Sequence, residues 1–268
     1  MWAAVIQMCS TPDLERNVAQ ARELVTEAAH HGAYLAALPE HFAYVGPENL
    51  QPPSAQPLDG ELVSGFRELA RTLGIFVLLG SFPEISHPGR PPYNTSALLG
   101  PGGELLARYR KIHLFDVDLA DGPRFQESRH VQAGAEVVSV FLPKTPFTAG
   151  LSICYDLRFP ELYRALADQG AHLFFVPAAF TRQTGRDHWE VLLRARAIEN
   201  LAYVLAPAQY GVHAPGRSSH GRALIIDPWG TVLAQAPDGE GIIYAKLDFP
   251  RLTALRRQLP CLQHRRLR

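Results

Sequence analysis

Residues 148–162 read TAGLSICYDLRFPEL. Thr148 to Ile153 is short, apolar and β-rich, which predicts a strand. Asp156 is placed to cap a helix, Pro160 suits its first turn, and Glu161, Leu162 and Leu166 continue a helical pattern. Cys154 therefore falls at a strand-to-helix junction. Free helical N–H groups and the positive end of a helix dipole favour a thiolate there, the nucleophilic form. A lone cysteine is more often a small buried hydrophobe. Position and a polar flank single this one out.

Downstream, the helix closes near Gly170, and His172 to Val176 is a buried strand. Gly185 to Asn200 is a helix with Trp189, Leu192, Leu193 and Ala197 on its inner face. Tyr203 to Ala208 is a strand, and Ala223–Asp227 with Thr231–Gln235 make a hairpin around Pro228-Trp229-Gly230. Ile242 to Leu247 and a helix near Leu252 to Gln258 follow. Upstream, Val137 to Leu142 is a strand. The first third reads strand (Trp2–Met8), helix opened by Thr11-Pro12-Asp13, strand (Tyr34–Leu38), helix capped by Asp59, strand (Ile75–Gly80). A loop holding Pro47, Pro52, Pro53 and Pro57 precedes that second helix.

Asn94–Leu99 and Glu104–Tyr109 flank a glycine cluster, Gly100-Pro101-Gly102-Gly103, read as a hairpin turn because no helix follows it. From His113 to about Gly134 runs a long irregular segment with Asp116, Asp118, Asp121 and Glu127. Loops of that length inside a compact domain are usually functional. Both halves alternate helices with paired strands. An α/β fold, a four-layer α-β-β-α sandwich formed as one domain over residues 1–268, is the economical arrangement.

Composition narrows the function. The 268 residues carry 26 Lys plus Arg and 26 Asp plus Glu, so no global field points to nucleic acid or an anionic membrane. The arginines crowding the last dozen residues have no aromatic platform among them and read as a solvated tail. Three cysteines without CxxC spacing disfavour a disulfide framework or a zinc site. With no signal peptide or membrane span to be read, a cytoplasmic location is expected.

Glu40, Lys111 and Cys154 each stand just beyond the end of a predicted strand, the edge where helix-covered sheets handle ligands. A thiol attacks an acyl carbon, a carboxylate removes and returns a proton, and a cation stabilises the oxyanion. Glu127 could orient Lys111 or the substrate amide. Phe115, Tyr155, Phe180 and Thr181 follow strand ends and are pocket candidates. His113, His188 and His220 read as structural hydrogen-bonders, and Arg194 and Arg196 as partners of Glu190 and Glu199. The strongest rival is a metal-dependent phosphoesterase using Glu40, Asp116, His220 and Asp227, which leaves Cys154 and Lys111 idle. A non-catalytic binding relative is a further alternative.

Six segments, LPEHF (38–42), YRKIHLFDVD (109–118), FQES (125–128), ICYDLRFPEL (153–162), HWEVLLRARAIEN (188–200) and DPWG (227–230), resemble the nitrilase, or carbon–nitrogen hydrolase, superfamily. The resemblance implies the sandwich fold, a hydrolase needing no cofactor or metal, and a homodimer or larger homo-oligomer. It implies Glu40 as general base, Lys111 as cation, Cys154 as nucleophile, Glu127 as supporting acid, and the Tyr155 N–H as part of an oxyanion hole. Residues 179–200 and SSHGRALIIDPWG (218–230) resemble the Nit branch. That branch implies deaminated glutathione, a small-molecule amide, as substrate, with 2-oxoglutaramate as the alternative. Both ends of such a substrate carry carboxylates, so Arg158, Arg182 and Arg217 are expected to face it.

Overall fold

The computed structural model describes residues 1–47, 55–85, 87, 89–118 and 124–267. Pro52, Pro53 and Asp121 lie outside them. Strand β1 (Trp2–Met8) shows how the layers arise. Its side chains alternate: Ala3 and Val5 join one core and Ala4, Ile6 and Met8 another. The second core is closed by helix α1 (Leu14–His30), through Ala21, Val25 and Ala28, and by α2 (Glu61–Leu73), through Leu62, Val63, Phe66 and Ala70. Asp13 caps α1 by accepting the Arg16 N–H. Asp59 does not cap α2. Gly60 occupies that position, and Gln56 Oε1 takes the Leu62 N–H instead.

β2 (Leu35–Ala37) and β3 (Phe76–Glu84) run parallel to β1, and β4 (Tyr93–Leu99) and β5 (Leu105–Arg110) continue the sheet antiparallel. The turn joining β4 to β5 is the expected glycine cluster, with Gly103 at φ 81°. The long segment after β5 is less irregular than expected: β6 (Asp116–Asp118) and β7 (Arg124–Gln126) form a small hairpin, and Glu127 opens a 3-10 turn.

The second sheet contains β8 (Ser139–Phe141), β9 (Thr148–Leu151) and β10 (Leu173–Phe175). Between β9 and β10 the chain makes a 3-10 turn over Cys154–Arg158 and then helix α3 (Pro160–Asp168). Phe159, not Asp156, is the N-cap residue of α3, since Asp156 is consumed inside the turn. Helix α4 (Arg182–Asn200) starts three residues earlier than its apolar pattern suggests, because the Thr181 hydroxyl accepts the Thr184 N–H. Tyr163 of α3 packs edge-on against Phe174, and a Cβ on Gly150 of β9 would stand 3.0 Å from Leu166, so α3 lies tight on this sheet.

The expected single strand from Tyr203 to Ala208 is two strands in two sheets. β11 (Tyr203–Ala206) runs beside β10, the chain crosses at Pro207, and β12 (Ala208–Ala214) joins the first sheet beside the end of β1. β13 (Arg217–His220) hairpins back on β12 through a turn at Pro215-Gly216. β14 (Leu224–Ile226) and β15 (Val232–Gln235) complete the second sheet. β16 (Gly241–Lys246) pairs antiparallel with β1, and helix α5 (Phe249–Gln258) follows.

Sheet one thus runs β13-β12-β1-β2-β3-β4-β5, with β16 also on β1, and sheet two runs β15-β14-β11-β10-β9-β8. Ala3, Val5, Leu35, Phe76 and Leu78 meet Leu151, Leu173 and Phe175 between them, and helices cover both outer faces. This is the expected α-β-β-α sandwich. Among the described residues, no helix is long and apolar enough to cross a membrane.

Candidate active site

Glu40, Lys111 and Cys154 leave the ends of β2, β5 and β9, and packing brings those ends together. Lys111 Nζ lies 3.1 Å from Glu40 Oε1 and 2.8 Å from Glu127 Oε2. The Cys154 thiol faces the Glu40 carboxylate closely enough that each shifts the other's ionisation, and the Ala179 N–H donates to Glu40 Oε2 at 2.8 Å. Glu40 and Lys111 are each 2% exposed and Cys154 8%. All four expected residues therefore share one nearly dry cluster.

The backbone aims these groups. Cys154 has φ 48°, a left-handed conformation that costs a non-glycine residue of order 1–3 kcal/mol. Its N–H donates to Pro177 O at 2.9 Å and holds it there. Asp156, fully buried, accepts the Ile153 N–H at 2.8 Å, the Tyr109 hydroxyl at 2.6 Å and the His113 N–H at 3.1 Å. One carboxylate thereby fastens the turn carrying Cys154 to the strand end carrying Lys111. Glu40 is placed by close packing. A Cβ on Gly80 would fall 2.0 Å from Leu38 O and 2.1 Å from Pro39 O, so only glycine lets β3 approach. Glu127 also accepts the Phe115 N–H at 2.7 Å.

The electrostatics correct one expectation. Burial pushes the Cys154 thiol well above its ordinary range, and the Glu40 charge pushes the same way, against Lys111. Burial and the facing carboxylate favour the neutral thiol over a dipole-stabilised thiolate, and its own N–H is spent on Pro177. Burial alone would raise Glu40, but the Lys111 ammonium, His41, the facing Cys154 thiol and the hydrogen bond from Lys111 bring it below the usual carboxylate range. Burial would strip Lys111 of its proton. Glu127 first, then Glu40, outweigh that and hold its pKa well up. A neutral thiol beside an ionised carboxylate and an ammonium is an acid–base pair with a fixed cation.

Asn94, on β4, was absent from the sequence-based candidates. Its Nδ2 donates to Glu40 Oε1 at 3.0 Å and to Glu127 Oε1 at 3.2 Å. In sequence it is one polar residue of a hairpin strand, and nothing local marks it. His41 was missed as well: at φ 54°, it stands with Nε2 3.8 Å from Glu40 Oε1, and burial keeps its imidazole below its usual pKa.

Of the pocket candidates, Phe115 and Tyr155 meet edge to face at 5.1 Å beside Glu127 and Cys154. The Arg158 guanidinium lies 5.9 Å from the Tyr155 ring centre and 5.5 Å from that of Phe180, with His188 Nδ1 at 3.3 Å. Arg217 donates to Gly46 O at 2.8 Å, and its charge is felt at His41. Thr181 is occupied as the α4 cap, and Arg182 is exposed on the first turn of α4, its charge acting on His220. His113 is structural, stacked on Phe159 at 3.6 Å and bound to Asp156. Arg194 and Arg196 pair with Glu190 and Glu199 as expected.

The phosphoesterase ligands do not converge. Asp227 binds the Trp229 and Thr231 N–H groups and pairs with Arg251, while Asp116 binds the Ser128 N–H on the β6–β7 hairpin. Among the described residues, no three His, Cys, Asp or Glu side chains gather as a metal site.

A thiol, a carboxylate and a buried ammonium thus gather at the strand ends of a double-sheet sandwich. Residues 2–257 match the carbon-nitrogen hydrolase family, and the chain belongs to it. It is an amidase-class hydrolase. The deaminated glutathione amidase of Synechocystis sp. is 47% identical over 264 residues, covering 98% of this chain and 97% of that one. The crystal structure of the C. elegans NitFhit protein has a TM-score of 0.89 and 39% identity, covering 99% of this chain; this chain spans 65% of that one. A mutant amidase from Nesterenkonia sp. AN1, with the acetamide moiety of fluoroacetamide added covalently at its active-site cysteine, has a TM-score of 0.83 and 26% identity. It covers 99% of this chain and 94% of that one.

Proposed function

We propose that the chain hydrolyses deaminated glutathione to 2-oxoglutarate and cysteinylglycine through an acyl-enzyme on Cys154. The observation that carries the mechanism is the single carboxylate, Glu40, which accepts from the Lys111 ammonium at 3.1 Å and faces the Cys154 thiol. Glu40 takes the Sγ proton as sulfur attacks the amide carbon. The carbonyl π pair moves onto oxygen, beside Lys111 Nζ and the Tyr155 N–H. As the oxyanion collapses, the C–N bond breaks and Glu40 gives its proton to the departing nitrogen, releasing cysteinylglycine. Water then enters and Glu40 takes its proton. The hydroxide displaces sulfur from the thioester, and the thiol regains the proton from Glu40. Glu127 keeps Lys111 charged and aimed.

The substrate follows from the Synechocystis relative's name and from two cations with different neighbours. Arg158 lies over aromatic rings on the Cys154 side, and Arg217 lies by His41 on the Glu40 side. They suit the carboxylates at the two ends of an elongated amide. Arg182 is the least placed of the three for such a contact. The same proposal treats residues 1–268 as one domain, and the enzyme as a cytoplasmic homodimer or larger homo-oligomer; light scattering and cell fractionation test these points. The substrate is tested by comparing kcat/KM for deaminated glutathione and 2-oxoglutaramate on one preparation. Deaminated glutathione should be preferred. Preference for the smaller amide would reassign the substrate and leave the catalytic groups standing.

A further inference from the structure

We propose that Asn94 is the positioning residue that leaves one oxygen of Glu40, Oε2, open to the Cys154 proton; this rests on the reading of Glu40 as the base. Asn94 is 2% exposed. Its Nδ2 and Lys111 Nζ donate to the same pair of carboxylates, so Glu40 Oε1 accepts from both, at 3.0 and 3.1 Å. A carboxylate oxygen offers about two lone-pair sites, so Oε1 is filled. Among the described residues, Oε2 accepts the Ala179 N–H, at 2.8 Å, and no side-chain nitrogen. The proton therefore has one destination. Asn94 also ties down the lysine's backbone, since the Lys111 N–H donates to Asn94 O at 2.9 Å.

The choice of an amide has a physical reason. The cluster holds two carboxylates and one ammonium in a space nearly closed to water. A second cation would weaken Glu40 as a base, and a third carboxylate would drive it to take up a proton at rest. The amide N–H groups stabilise both carboxylates without adding charge. Turning the amide over would point Oδ1 at two carboxylates, so its orientation is fixed. Asn94 Oδ1 meanwhile is buried with no hydrogen-bond partner among the described residues. A side chain selected for stability would not leave that acceptor unmade; this one is held by its donors.

The test uses the full-length enzyme with Asn94→Ala, Asn94→Ser and Asn94→Asp, and two readouts. The first is the pH profile of kcat/KM on any amide the enzyme turns over. The second is the rate and site of iodoacetamide labelling, which needs no substrate. Losing a donor to its ionised form raises the Glu40 pKa, so in Asn94→Ala the acid limb should move to higher pH. kcat should fall about tenfold to a hundredfold with KM little changed. Asn94→Ser, which keeps one hydroxyl donor, should recover part of both effects, and Asn94→Asp should lose more than Asn94→Ala. A purely structural role would lower the yield of folded enzyme and leave the acid limb of what remains where it was, which would overturn the proposal. Should Asn94→Ala not fold, Asn94→Ser is read by the same limb. Labelling that bypasses Cys154 in the unsubstituted enzyme would instead overturn the nucleophile assignment, a separate failure.

Discussion

The Tyr109 hydroxyl donates to Asp156 Oδ2 at 2.6 Å, with both side chains fully buried. Tyr109 stands two residues before Lys111, and Asp156 two residues after Cys154. The bond therefore sets the cation and the thiol in register. Asp156→Ala would strand the Tyr109 hydroxyl and the Ile153 and His113 N–H groups. Buried donors without acceptors cost about 1–3 kcal/mol each, so urea denaturation should show a loss on the order of 3 kcal/mol, with activity falling alongside. Asp156→Asn keeps one acceptor oxygen and should lose less. Unchanged stability in Asp156→Ala would remove this carboxylate from the account.

Gly80→Ala tests the placement of Glu40. The added methyl must displace the Leu38 and Pro39 carbonyls, and the Glu40 side chain moves with them. Misplacement by about 1 Å can cost a hundredfold in rate. The expected outcome is a folded enzyme with kcat reduced at least tenfold. A variant with full turnover would show that β3 can yield without disturbing the base.

The pH dependence follows from the signs of the shifts. The reactive form needs Glu40 ionised, Lys111 charged and Cys154 protonated before substrate arrives. Glu40 is held below the usual carboxylate range, so the acid limb of kcat/KM should fall there. Cys154 and Lys111 are both raised, so the alkaline limb should lie above the ordinary thiol range. Stability obeys the same logic. Glu40 contributes above the unfolded carboxylate pKa, and that contribution disappears as pH falls through its folded value. Lys111 contributes below the unfolded lysine pKa and loses its share as pH rises through its folded value. An acid limb at about 6.5, the imidazole range, would move the base from Glu40 to a histidine.

Removing the cation should affect chemistry more than binding. Lys111→Met should slow acylation about a hundredfold to a thousandfold, as loss of an oxyanion donor does elsewhere. Single-turnover kinetics separate that step from substrate affinity. Near-normal acylation by this variant would refute the cation's role.

Much of this site was legible in the sequence because strand ends are. Apolar runs closed by turn residues located Pro39-Glu40, Arg110-Lys111 and Ile153-Cys154, and helix-covered sheets gather such ends on one edge. Local reading failed where the decisive contact is distant in sequence. β12 and β13 escaped because Gly211, Pro215 and Gly216 interrupt their alternation, and because the crossing at Pro207 depends on a β1 some two hundred residues earlier. Asn94 escaped because its meaning lies in two carboxylates from other elements. The thiolate expectation failed for a related reason. The junction after β9 is a short 3-10 turn, Pro177 has taken the Cys154 N–H, and burial together with the Glu40 charge raises the thiol.

The central claim is a covalent acyl-enzyme on Cys154, and intact-protein mass spectrometry of acid-quenched turnover tests it most directly. With deaminated glutathione, a fraction of the enzyme should gain one 2-oxoglutaryl group, peptide mapping should place it on Cys154, and Cys154→Ala should show neither adduct nor turnover. An adduct on Cys9 or Cys261, or turnover by folded Cys154→Ala, would contradict the account.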